Sequence, residues 1–197
     1  MFRTLILAVT LLTLTGRLVA ETPATDAQIE QLGALRMRVS NKLNNLAKAT
    51  DSVANGVNAA NDSVAAAYTQ TRTEIGKRQQ TENSKAGDAR DQLTIDALNV
   101  RSERVESIWN NDYARKDVPA FTSKLTEINN FANNLAQVYQ NVAGADQSWL
   151  RTGIDPLVLT AVFVALDKRL DQLIADAKTL TADYKTLLDE RARKIKE

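Results

Sequence analysis

Apolar residues return at alternating steps of three and four along two long stretches of this chain. Near the N-terminus the rhythm runs through Ile29, Leu32, Val39, Leu43, Leu46, Val53, Val57, Ala60, Val64 and Ala67, with Arg36, Thr50 and Thr71 at the remaining seam positions. Near the C-terminus it runs through Phe163, Leu166, Leu170, Leu173, Ala177, Leu180, Tyr184 and Leu187. A seven-residue apolar period keeps one stripe of a helix against a partner, so both stretches predict long helices wound about neighbours in left-handed supercoils. A shorter stripe, Phe121, Leu125, Ile128, Ala132, Leu135, Tyr139 and Val142, predicts another helix and leaves Asn129, Asn130, Asn133 and Asn134 on its solvated face. Before it, Leu93, Ile95, Leu98, Val105, Ile108 and Trp109 predict a helix of less regular phase.

Start and stop signals divide this pattern into four helices. Asp26, after Thr25, opens the first, which runs to about residue 79 and, at about 1.5 Å per residue, would be about 80 Å long. Gly33, Gly56 and Gly76 weaken it locally, but the heptad phase passes Gly56 unshifted. The polar stretch 81–88 with Gly87 suits a turn, a continuous helix through it being the alternative. The second helix spans about 89–113. Asp117 and Pro119 signal the start of the third, about 120–142, and a loop at 143–155 follows with Gly144 and Gly153. Asp155 before Pro156 starts the fourth, about 156–195, whose final cations Arg191, Arg193, Lys194 and Lys196 suit a helix C-terminus. No alternating strand pattern competes. The expected fold is all-α: an elongated antiparallel helical bundle or coiled coil of about four helices of unequal length. Its packing seam would be Leu32, Val39, Leu43, Leu46, Val53 and Val57, then Leu125, Ile128 and Leu135, then Leu166, Leu170, Leu173, Leu180 and Leu187.

The first twenty residues change where such a fold would reside. Arg3, an uncharged apolar run from Thr4 to Leu14 and the exit Leu18-Val19-Ala20 read as a signal peptide over 1–20, cleaved after Ala20, with 21–197 a single helical domain. An uncleaved anchor is the alternative, but the run falls short of the roughly 20 apolar residues a span requires. The expected location is therefore secreted or periplasmic. With no cysteine anywhere, no disulfide supports the fold, and helix packing must do so. The 25 basic and 24 acidic residues nearly balance, which gives no electrostatic footprint for nucleic acid.

The chemistry available is narrow. Without histidine or cysteine the commonest general base, nucleophile pairs and transition-metal ligands are missing. Asp167 with Asp171 and Glu103 with Glu106 lie one helical turn apart, a spacing that reads as surface charge patterning unless a cleft surrounds it. No phosphate loop, calcium loop or zinc spacing occurs, so no catalytic residue, cofactor, metal or small-molecule substrate is expected. Asn61-Asp62-Ser63 fits the N-glycosylation acceptor pattern.

The run 156–166 is apolar on every side of its helix, so it must be buried by its own bundle, by another subunit or by lipid. Its Leu157, Val158, Val162 and Phe163, with Trp149 upstream, are the candidate partner or lipid contacts. The leading expectation is a non-enzymatic helical bundle with a structural or protein-binding role, alone or as a homo-oligomer. In composition, the disulfide-free helices containing Ala, Asn and Gln resemble insect apolipophorins, a likeness that rests on no motif. That resemblance implies an exchangeable lipid carrier whose bundle opens on lipid. A membrane-active helical protein using 156–166 is a further alternative.

Overall fold

A computed structural model describes residues 25–143 and 156–197. Among the described residues the structure is nearly all helix and contains no strand. Helix α1 spans Asp26–Asn83, 58 residues. Helix α2 covers 92–143 without a break, winding as α over Gln92–Ser107, as π over Ile108–Asp117 and as α again over Val118–Ala143. Helix α3 spans Pro156–Lys196, 41 residues. The count is three helices rather than four, because the expected second and third are one. The expected leader at 1–20, Trp149 and the 143–155 loop beyond Ala143 lie outside the described residues.

Local chemistry explains each boundary. At the start of α1 the backbone N–H of Thr25 donates to Gln28 Oε1 at 2.9 Å, and the N–H of Gln28 donates to Thr25 Oγ1 at 3.3 Å. This reciprocal capping box makes Thr25 the cap of a helix that opens at Asp26. Helix α1 stops at Asn83, a turn later than expected, where Arg90 donates to the Asn83 carbonyl at 2.8 Å. A short 3-10 turn, Gly87–Ala89, leads to Asp91, whose carboxylate accepts from the Leu93 N–H and the Thr94 hydroxyl and so caps α2.

Pro119 does not start a helix because the chain reaches it already wound. In an α-helix a proline ring collides with the carbonyl four residues back and leaves a backbone acceptor without its donor. Here the preceding ten residues use the wider i→i+5 winding, and the Val118 N–H donates to the Tyr113 carbonyl, five residues back. The same winding accounts for the irregular phase. Ile108 and Asp117 are both buried, nine residues apart. Nine residues make about two and a half α-turns, which would set the two on opposite faces, whereas two wider turns bring them to one face.

The residues group into two compact units, and all three helices contribute to each. The first unit comprises Met1–Thr50 and Ile128–Asp176, of which 25–50, 128–143 and 156–176 are described. Its core joins Leu32, Val39 and Leu46 of α1, Leu135 of α2, and Leu159, Phe163, Leu166, Leu170 and Leu173 of α3. Burying one such leucine stabilises by about 1.5–3 kcal/mol. Beside this core Lys42 bonds Asp167 at 2.8 Å and Asp171 at 2.7 Å. Burial opposes the Lys42 charge, but hydrogen bonds and the charges of both aspartates outweigh it and hold the ammonium above the ordinary lysine range.

The second unit comprises Asp51–Glu127 and Ala177–Glu197. Its buried stripe on α1 is Val53, Val57, Ala60, Val64, Ala67, Thr71 and Ile75. On α3 the stripe passes from Ala177 and Tyr184 to Leu188, Ala192 and Ile195. Leu187 is only half-buried while Leu188 is fully buried, so the expected heptad slips by one position. Tyr184 to Ile195 is an eleven-residue interval, which departs from the left-handed heptad repeat. Side-chain bonds set the register: Gln79 with Asn99, Arg72 with Ser102, Tyr68 with Glu106 and Asn61 with Tyr113. As the α1 numbers fall the α2 numbers rise, so these two segments run in opposite directions. Arg101 with Lys196, Arg191 with Asp112 and Phe121 with Tyr184 show the same opposition for α2 and α3.

Candidate functional site

Of the expected seam, Leu32, Val39, Leu46, Leu135, Leu166, Leu170 and Leu173 meet in the first unit's core, while Leu43 and Ile128 pack half-buried against it. Val53 and Val57 are buried in the second unit, and Leu125, Leu180 and Leu187 are half-buried there. The run 156–166 is not covered on all sides. Leu159, Phe163 and Leu166 are buried, Val158 and Val162 are half-buried, and Leu157 is 68% exposed. Of the candidate contacts, then, Phe163 and Val162 belong to the core, and Leu157 and Val158 sit at the start of α3.

The most concentrated chemistry among the described residues lies on and around the π segment of α2. Arg191 donates from Nε to Asp117 Oδ2 at 2.7 Å and from Nη1 to Asp112 Oδ2 at 3.1 Å. The Asp117 side chain is 4% exposed and that of Arg191 is 12% exposed. The hydrogen bond that Asp117 accepts, with the charges of Asp117 and Asp112, raises Arg191 further above its already high ordinary range. Beside it Phe121 stacks on Tyr184 with ring centroids 4.1 Å apart. Burial, with the nearby Tyr113 and the Asp117 charge, pushes the Tyr184 phenol up to about 12, and its Oη has no hydrogen-bond partner in the structure.

An aromatic ladder continues along the same segment. Trp109 stacks on Tyr68 at 4.5 Å and lies tilted against Tyr113 at 4.9 Å. Tyr68 donates to Glu106 Oε1 at 3.0 Å, and burial followed by that carboxylate raises its phenol. Tyr113 donates to Asn61 Oδ1 at 3.1 Å, and burial raises its phenol as well. Asn61, the glycosylation candidate, is thus a half-buried residue of α1 whose amide already holds Tyr113. At neutral pH these phenols act as neutral donors that fasten α1 to α2.

A shallow polar groove of about 710 Å³ opens next to the ladder, lined by Arg72, Ser102, Glu103, Glu106, Ser107, Asn110, Asn111 and Arg115. Glu106 is already bound by Tyr68 and by Arg72, whose Nη2 lies 3.1 Å from Oε1. The other expected carboxylate pair, Asp167 and Asp171, is likewise occupied, by Lys42. Glu106, Asp167 and Asp171 thus tie neighbouring helices together, while Glu103 is exposed along the groove. The Arg191–Asp117 pair joins residues 74 positions apart and the Tyr68–Trp109 stack joins two helices, so no local spacing announces either. The legible signal was the phase break between Ile108 and Phe121. Comparison of the chain with protein-family models, curated proteins and solved structures finds no match.

Proposed function

We propose that this chain is an exported, non-enzymatic helical-bundle protein whose role is structural or protein-binding. In this reading its helices form an elongated antiparallel bundle with coiled-coil packing along the stripes. The observation that carries the proposal is where the polar chemistry goes. Most of the acids and phenols of the candidate site are spent on helix-to-helix ties: Lys42 with Asp167 and Asp171, Tyr68 with Glu106, Tyr113 with Asn61 and Arg191 with Asp117. An active site holds such groups toward a substrate cavity with displaced protonation behaviour. Here they face one another. Such a scaffold serves through the surface it displays, to a second copy or to another protein.

The lipid-carrier alternative predicts wide apolar faces on every helix. Against it stands the narrow stripe of α1, in which buried positions along the second unit are flanked by exposed positions that are polar, alanine or glycine rather than large and apolar. Among the described residues no helix is long and apolar enough to cross a membrane. Sedimentation equilibrium over a range of concentrations, with phosphatidylcholine liposomes added in parallel, separates the readings. Stable association with itself and no effect on the liposomes is the expected outcome. Liposome clearance by a monomer whose helicity rises on lipid would replace this proposal with the carrier.

A further inference from the structure

The chain has a single Asn-Gly pair, Asn55-Gly56, and both residues are exposed in the middle of α1. Around this pair the helix is weak by composition. Over 50–63 only Ala54, Ala59 and Ala60 are strong helix formers, the rest being Thr, Asp, Ser, Val, Asn and Gly. The buried positions here are Val53, Val57 and Ala60, which remove less apolar surface from water than Leu46 upstream. Side-chain ties to other helices stop at Lys42 and resume at Asn61. Among the described residues no side chain of α1 between those two bonds another helix, and the Asn55 carboxamide has no hydrogen-bond partner.

We propose that this stretch of α1 opens locally and that Asn55 then deamidates spontaneously, a self-modification that limits the life of the packed bundle. The Gly56 backbone nitrogen, giving its proton to hydroxide, attacks the Asn55 side-chain carbonyl carbon. A C–N bond forms there, the carboxamide C–N bond breaks, and ammonia leaves behind a five-membered imide. Water opens the imide at one carbonyl or the other, giving aspartate or isoaspartate. Glycine admits the ring because no Cβ crowds the attacking nitrogen. A wound helix prevents the attack, since the Gly56 N–H is committed to the carbonyl four residues back and the Asn55 side chain leans toward the N-terminus, away from that nitrogen. The rate therefore follows how often the segment opens, and poor helix formers without ties open most readily. Isoaspartate does not return to the old register. Its side-chain carbon joins the main chain, which lengthens between Val53 and Val57 and sets Val57, Ala60 and Val64 out of phase with the stripe before them.

The test is peptide mapping by mass spectrometry of the purified chain during long incubation at physiological temperature and mildly alkaline pH, with the guanidinium-unfolded chain in parallel. In the folded chain Asn55 should convert before any other asparagine, within roughly a hundredfold of its rate in the unfolded chain. Asn83-Ser84, at the end of α1, is the internal competitor. Alanine at the exposed Ser52 and Asn58 strengthens the helix without touching the pair, so S52A/N58A should slow conversion about fivefold. Gly56→Ala should slow it further and raise the melting temperature, because a Cβ there meets only the Thr181 methyl at an ordinary 3.7 Å. The isoaspartate form, separated by ion exchange, should melt below the parent chain. Asn55 unchanged at that limit, Asn83 converting first, conversion as fast in S52A/N58A, or an isoaspartate form that melts as the parent does would overturn the proposal.

Discussion

At the scale of single residues, Asp117 decides the most. It is an acid with a side chain 4% exposed, and Arg191 is what makes that tenable. Arg191→Met should cost about 3–5 kcal/mol, the penalty of an uncompensated buried charge, measured by urea unfolding. Adding Asp117→Leu should recover most of that loss, because replacing a whole buried pair with apolar groups is often near neutral. Tyr184 gives the opposite case, a buried hydroxyl with no partner. Tyr184→Phe should therefore leave stability unchanged or raise it by about 1 kcal/mol. Its titration adds a signed prediction. The folded-state value of about 12 lies above the unfolded value of about 10, so the contribution is complete below pH 10. It is lost as pH rises from 10 toward 12, by up to roughly 3 kcal/mol. Alkaline unfolding of Tyr184→Phe should lack that component.

At the scale of the element, the π segment sets the terms. The upstream stripe of Leu98, Val105 and Ile108 and the downstream stripe beginning at Phe121 are out of step for a continuous α-helix. Ten residues of the wider winding advance about as far round and along the axis as eight of α-helix. Deleting the exposed pair Asn110 and Asn111, together with Pro119→Ala to remove the ring that α winding does not admit, should therefore let the segment wind as α with both stripes still buried. Thermal melts should show that double deletion within about 1 kcal/mol of the full chain, with either single deletion clearly worse, since it misaligns one stripe. The same element marks how far the sequence could be read. Helix type and most buried positions followed from apolar spacing, because burial repeats with the helical period, and the turn near residue 85 followed from its polar run with Gly87. Pro119 misled because its start signal assumes α winding before it. Leu188 and Ile75 took the places a strict heptad assigns elsewhere, because 3.6 residues per turn do not divide evenly into seven. The Arg191–Asp117 pair and the Tyr68–Trp109 stack depend on which helices meet, and periodicity alone does not carry that.

At the scale of the whole molecule, the proposed function rests on greasy stripes holding long helices side by side, with the remaining surface free to be recognised. Each stripe supplies buried leucines, valines and alanines at helical spacing, and each cross-helix tie fixes a register. No disulfide shares the task, since the chain has no cysteine. Small-angle X-ray scattering of the purified chain in dilute solution tests the proposed elongated bundle most directly. The account predicts a distance distribution with an early peak and a long tail, the signature of side-by-side rods. A symmetric distribution, the signature of a compact globule, would contradict it.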